Sequence, residues 1–504
     1  MSPQMQPHMS MRQRMMKGVR RMQDVYPRWL SQYPIIVYIL ALTVVSFMYS
    51  AYSLPWYYML SGVVAVLIFF LFGNTVTKST SIDIMHSEKR FKKRIFLIAF
   101  IPRLLFMLML YWIFQANYGD AFGFDNADAQ YYHDLGEFVS GLISKGNFHF
   151  YDEITRWCGR DDISDMGYGI YVGFIYWLTG NSIVVLRIIK CILSALTVLL
   201  IYRLAKRNFG GQTARIAAVF MALWPNFWYY CGTHLKEVEM VFMGVLFVEQ
   251  ADQMLRSRKF SVWKVVPILL MAAALYTMRT PLAIVALLSL IFSVVMSSAK
   301  VVSWGKRIVV GLLAVSLIGI TMGNRIEEES RVLLEASRTN QDAAIEHYAT
   351  RKDASGNQQR FAKYAGAAVF APLIFTLPFP TMVRPYDGQE AQQLLNGGNF
   401  IKNIISGFTI LALVILLMSG RWREHLVPLS YMSGYLVVLV MSAFAHSERF
   451  HEPAMPFELM FAAYGLSIAM KQQKYKRWFS YWCGVMFIAA IVWNWFKLTG
   501  RGLA

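Results

Sequence analysis

The chain has 504 residues, 56% of them hydrophobic and only 16% charged, with a mean hydropathy of +0.40. That composition excludes an ordinary water-soluble globule and predicts an all-α polytopic membrane protein. The formal net charge of +19 would suit a nucleic-acid partner in a soluble chain, but no basic aromatic module accompanies it, so nucleic acid is not expected as a partner.

Residues 1–33 are polar and basic, which predicts a cytoplasmic segment rather than a signal peptide, followed by a first span that is retained. Apolar runs of the length that crosses a ~30 Å hydrocarbon core are predicted near 34–51, 56–73, 95–114, 182–202, 216–231, 238–251, 265–278, 281–298, 308–323, 401–419, 426–444, 454–470 and 478–496. About thirteen transmembrane helices are therefore expected, with twelve or fourteen as alternatives. Pro225, Arg279 and Pro281 mark bends or ends in the shorter runs.

Orientation follows from the basic residues. With the N-terminus inside, the inner segments hold 29 of the 49 Lys and Arg and five acids, whereas the outer loop 115–166 carries ten acids against Lys145, Arg156 and Arg160. This asymmetry predicts N-in and C-out and accounts for the surplus positive charge. Three of the four cysteines, Cys191, Cys231 and Cys483, sit in apolar runs, which argues against a disulfide framework or a structural zinc site.

Two outer loops are long. In the first, 127–143 has apolar and aromatic residues at helical spacing and 167–179 is too short to span and rich in aromatics, so both are predicted as interfacial helices. In the second, 324–400, residues 327–364 read as solvated surface and the closing stretch is FAPLIFTLPFP.

Ionisable residues at span ends are the candidates for chemistry. FGFDNADAQYYHDLGEF (122–138) places Asp125 and Asp128 three apart at the outer end of the third span, where carboxylates can abstract a proton or bind a cation. GTHLKEVEM (232–240) places His234, Lys236, Glu237 and Glu239 at the start of another span, and snorkelling explains the lysine but not two glutamates beside it. AHSERFHEPAMPFE (445–458) adds Arg449, read as an anion clamp, and His451, without the spacing of a zinc site. Arg103 is expected to snorkel, while Arg187, Lys190 and Arg279 are further boundary cations within reach of a phosphate. With no nucleotide-binding loop, energy or activated substrate is expected from the membrane or an ion gradient.

IPRLLF in the third span, DAQYY in the first outer loop, the run GYGIYVGFIYWLTGNSIVVLRIIKCILSALTVLLIYRLAKRNFG, ARIAAVFMALWPNFWYY and the late RFHEPAMPFELMFAAYG together resemble the GT-C glycosyltransferases. Within that superfamily the chain is similar to the family 39-like group of protein O-mannosyltransferases and lipid A aminoarabinose transferases. The resemblance implies a GT-C-like core at 95–323 with its catalytic outer loop at 115–181, preceded by two extra N-terminal spans at 34–94 and followed by C-terminal spans at 401–504. It implies a sugar donor linked to polyprenyl phosphate, a glycan, lipid or protein acceptor, and contact with membrane lipids. It also implies a multi-pass protein of the bacterial cytoplasmic membrane with its active site facing outside.

Site roles follow from the same resemblance. Asp128 matches the family's catalytic Asp, with Ala129 where Glu is common, and Tyr132 matches the following Tyr. Asp125 and Glu237 are the alternative catalytic carboxylates. The family's Lys-Pro-Pro is replaced by Asp165-Met166-Gly167, so phosphate binding is assigned to Lys236, Arg279 and Arg449, with His234 and His451 as further substrate contacts. A divalent cation is an option for the leaving phosphate, with no metal ligands assigned. A polysaccharide polymerase or ligase, or a lipid or solute transporter, stay open as alternatives; the outer clustering of charge and the absence of repeats speak against the transporter.

Overall fold

Backbone carried into hydrocarbon must satisfy its own N–H and C=O groups, and the apolar runs of this chain do so as helices. The computed structural model describes residues 25–159, 163–257, 262–297, 305, 308, 373–384, 390–442 and 447–499. Among these, helix is the only repetitive structure, apart from one isolated bridge between Ser53 and Val383. Six of the described helices are long and apolar enough to cross a membrane: Arg28–Met48, Trp56–Ser81, Glu88–Tyr118, Ile183–Phe209, Asn396–Met418 and Lys474–Leu498. Four shorter apolar helices, Val266–Met278, Thr280–Met296, Leu426–Met441 and Met455–Ala469, fall on further predicted spans. The fold class is the expected one, all-α and polytopic. The predicted span 308–323 beyond its first residue, and the reading of 327–364 as surface, lie outside the described residues.

The predicted span 216–231 is corrected: it is two helices, Gly211–Ala222 and Pro225–Gly232. Trp224 is extended and Pro225, which has no N–H to donate, starts the second helix. Twelve residues of helix rise only about 18 Å, short of a bilayer core. Arg103 explains how the break survives without water. Its guanidinium is fully buried and donates to Met221 O at 2.8 Å and Ala222 O at 2.7 Å, the carbonyls orphaned at the helix end, and to Ser194 Oγ at 2.8 Å. The snorkelling expected of Arg103 is therefore wrong. A charge that seemed marginal is a buried helix cap.

The first long loop folds as expected into helices Asn126–Ser144 and Ile163–Thr179, with a third, Phe150–Cys158, that the apolar pattern did not reveal. The first two cross closely through glycine. A Cβ on Gly169 would lie 2.3 Å from Leu135 Cδ2, and one on Gly173 would lie 2.5 Å from Val139 Cβ. Ile154 of the short helix completes a small core with Leu135, Val139 and Met166. This packing fixes the helix that carries Asp128 against the one that carries Asp165. The closing stretch of the second loop, where it is described, packs into the protein: Leu377 and Phe379 are buried, and Asn403 Nδ2 donates to Pro378 O at 3.0 Å.

Helices Ile183–Phe209 and Glu237–Arg256 pack side by side and carry a polar cluster at each end. At the end near residue 209, Arg207 pairs with Asp252 at 2.5 Å and Glu249 at 3.1 Å, and Arg256 pairs with Asp252 at 2.9 Å. Asn208 joins them, donating to Asp252 Oδ2 at 3.2 Å and accepting from Arg256 at 2.8 Å, with His425 Nδ1 2.9 Å from its Oδ1. The opposite end carries the candidate site.

Candidate active site

Asp128 lies in the first turn of the Asn126–Ser144 helix and Tyr132 one turn further on. Glu237 opens the Glu237–Arg256 helix, with Lys236 as the residue before it. Arg449 lies in the short helix Glu448–His451, which Pro453 separates from the helix Met455–Ala469, whose first turn holds Pro456. These three chain regions meet at Arg449. Its Nη1 is 2.6 Å from Asp128 Oδ2 and its Nε is 2.5 Å from Glu237 Oε1. Burial acts against the charge on Arg449, but Glu237 and Asp128 outweigh it and push its pKa up, so the guanidinium stays charged.

The two carboxylates are not equivalent. The Asp128 side chain is 58% exposed and that of Glu237 only 1% exposed. An incoming hydroxyl can therefore meet Asp128, while Glu237 faces inward, with Oε2 lacking a hydrogen-bond partner among the described residues.

Lys236 forms a second node. Its ammonium pairs with Asp165 Oδ1, donates to Met278 O at 2.7 Å and lies 5.7 Å from the centre of the Tyr132 ring. Tyr132 donates its hydroxyl to the same Asp165 oxygen at 3.1 Å. Burial pulls the Lys236 pKa down, against Asp165, which raises it. Burial also drives the Tyr132 pKa well above its ordinary value, so the phenol keeps its proton and acts as a donor.

Arg279, the residue after Met278, sits between helices Val266–Met278 and Thr280–Met296 in extended conformation. Its guanidinium lies 4.4 Å from the Phe450 ring centre, and that of Arg449 lies 6.0 Å from the same ring. Arg279 meets no carboxylate among the described residues. The group thus holds three acids, Asp128, Asp165 and Glu237, against Lys236, Arg279 and Arg449, with Arg279 uncommitted among the described residues.

Other predicted residues go elsewhere. His234 is buried, its Nε2 3.5 Å from the Tyr176 hydroxyl, which lies 2.8 Å from His133 Nδ1. Burial, with Lys190 and Arg187 nearby, holds its pKa well below the usual imidazole range, so His234 is neutral. His451 is buried too, with Nδ1 2.6 Å from Lys402 Nζ, and Lys402 faces Glu458 at 3.8 Å. Arg187 and Lys190, expected within reach of a phosphate, are fully buried and turn to backbone carbonyls. Arg187 donates to Ala121 O at 2.5 Å, and Lys190 donates to Thr233 O at 3.0 Å and to Leu235 O. The side chain of Asp125 lies outside the described residues.

No group of three or more His, Cys, Asp or Glu able to hold a metal ion occurs among the described residues. The acid pair Asp128 and Glu237 is bridged by a guanidinium, so a divalent cation there would meet fixed positive charge. The described residues do not fit the metal option. Sequence reasoning missed Asp165 and Lys402. Asp165 carried a weak signal as an acid beside Gly167 and Tyr168, but an acid in a helix's first turn is ordinary. Lys402 looked like the edge of a span and is instead buried in the Asn396–Met418 helix.

The sequence comparison bears on the helices that carry part of this cluster. Residues 169–322 match the family model of dolichyl-phosphate-mannose-protein mannosyltransferases. The match supports a GT-C-like membrane glycosyltransferase. It contains Lys236, Glu237 and Arg279, and it leaves Asp128, Asp165 and Arg449 outside. No curated protein and no solved structure matches the chain.

Proposed function

We propose that this glycosyltransferase moves a sugar from a polyprenyl-phosphate-linked donor to an acceptor hydroxyl on the extracytoplasmic side of the bacterial cytoplasmic membrane. The observation that carries the reading is the convergence on Arg449 of two carboxylates of opposite exposure, Asp128 and Glu237, beside an Arg279 that meets no carboxylate among the described residues. Asp128 is the base: it takes the acceptor's proton as the hydroxyl oxygen attacks the anomeric carbon. The bond from that carbon to the phosphate oxygen breaks, and its electron pair leaves with the phosphate. Arg279 and Lys236 supply positive potential for that charge. Tyr132, a fixed donor through burial, keeps Asp165 and Lys236 in register. A glycan, a lipid or a Ser or Thr side chain of a protein can each offer a hydroxyl to Asp128.

The test uses the purified full-length protein in nanodiscs with a panel of polyprenyl-phosphate sugars, reading release of polyprenyl monophosphate with and without added acceptor. Release that depends on the chain supports the reading, and none with any donor overturns it. Orientation is tested in intact cells. Asn117→Cys and Lys145→Cys should react with an impermeant thiol reagent, and reaction only after permeabilisation would reverse the topology and remove the extracytoplasmic site.

A further inference from the structure

Arg449 is bonded to the carboxylate assigned as base, and this raises a problem of charge. With Arg449 Nη1 2.6 Å from Asp128 Oδ2, the guanidinium occupies the oxygen that would take a proton, and a guanidinium held by two carboxylates is a poor ligand for phosphate. Both difficulties vanish if the two roles are consecutive. Resting on the function proposed for this site, we propose that Arg449 is handed from Asp128 to the leaving phosphate during the reaction, coupling proton abstraction to stabilisation of the leaving group.

The donor is a phosphodiester with one negative charge, and the product polyprenyl phosphate is a monoester with room for two. The acceptor O–H proton goes to Asp128, the acceptor oxygen bonds to the anomeric carbon, and the bond from that carbon to the phosphate oxygen breaks with its electron pair on the phosphate. Asp128 loses one negative charge as the phosphate gains one. Arg449 Nη1, whose partner has been neutralised, is then free for the phosphate. Glu237 makes this a rotation rather than a departure. It holds Nε at 2.5 Å from a position 1% exposed, so the guanidinium keeps one anchor while the Nη1 edge changes partner. Phe450 lies beside both guanidinium groups, placing the swinging edge on the side where Arg279 already waits. Glu237 in this scheme is a positioning residue that acts through Arg449.

The exposed Asp128 can be replaced by Asn, which is isosteric and mimics the neutral, protonated state. Binding of polyprenyl monophosphate is measured in nanodiscs for the parent, Asp128→Asn, Arg449→Lys and the double variant. Lysine keeps a positive charge for Glu237 but cannot hold two partners in a fixed fork. The handover predicts that Asp128→Asn binds the monophosphate roughly ten- to a hundredfold tighter than the parent, the scale of one additional charge-assisted hydrogen bond. It also predicts that this tighter binding disappears in the Arg449→Lys background. Tighter binding that persists there would be simple relief of like-charge repulsion and would overturn the handover. So would an Asp128→Asn variant that binds no tighter than a parent that does bind. A parent with no affinity for polyprenyl monophosphate overturns the donor reading beneath it.

Discussion

The two ends of helices Ile183–Phe209 and Glu237–Arg256 both gather charges of either sign and put them to different use. At the end near residue 209, Arg207 and Arg256 share Asp252, Arg207 also takes Glu249, and Asn208 bonds to both signs. Both of these arginines have a carboxylate, and those carboxylates, 2–3% exposed, are sealed from any ligand. At the other end, among the described residues, Arg279 has no carboxylate and Glu237 Oε2 has no hydrogen-bond partner, while Asp128 is open to solvent. A reciprocated network clasps helices. A network with an uncommitted cation and an exposed base is arranged for something that arrives. Buried charge alone does not mark a candidate active site; an exposed carboxylate beside a cation that meets no carboxylate among the described residues sets this end apart.

The sharpest way to break the comparison is Arg449→Ala. It leaves Glu237 as a buried charge without its partner, so transfer should be lost and stability should fall by about 3–5 kcal/mol, read by activity and thermal melting in one detergent. Arg279→Ala should spare folding and weaken donor binding roughly ten- to a hundredfold, the cost of one charge-assisted hydrogen bond to phosphate, measured by titration with a polyprenyl-phosphate sugar. Asp252→Ala should do the reverse: a loss of about 1–3 kcal/mol in stability with unchanged transfer per folded molecule. The smallest effect is with pH. His425 lies between the spans at the clasped end, where burial, together with Arg256 and Arg421, lowers its pKa to about 3. Below its unfolded pKa of about 6.5 the unfolded chain takes up a proton that the folded chain refuses, so stability falls as pH drops from about 6.5 toward about 3. Melting at about pH 5 should lie about 2–4 °C below melting at about pH 7, and His425→Gln should flatten that difference.

Much of this was legible in the sequence for one physical reason: an ionisable group beside an apolar run is costly and must be explained. That logic singled out Asp128, Lys236, Glu237, Arg279 and Arg449, which the fold brings together, and the first-loop helices followed from their aromatic periodicity. It could not find the partners. Asp128 and Arg449 are 321 positions apart, and nothing local to either names the other. The same logic misjudged Arg103, because a cation that satisfies orphaned backbone carbonyls looks, in sequence, like one snorkelling to water. Asp165 was hidden by the ordinary preference for acids at helix N-termini, and Pro225 was visible as a break while its cap, over a hundred positions earlier, was not.

At the centre of the proposed function is proton abstraction by Asp128 in the cluster around Arg449. The most direct measurement is the single-turnover rate of sugar transfer by Asp128→Asn in nanodiscs, normalised to folded protein and with donor binding measured in parallel. A fall of about 10² to 10⁴ with melting and donor binding preserved is predicted, as for the loss of a general base. Transfer at the parent rate would contradict the assignment and with it the reading of this cluster as the active site.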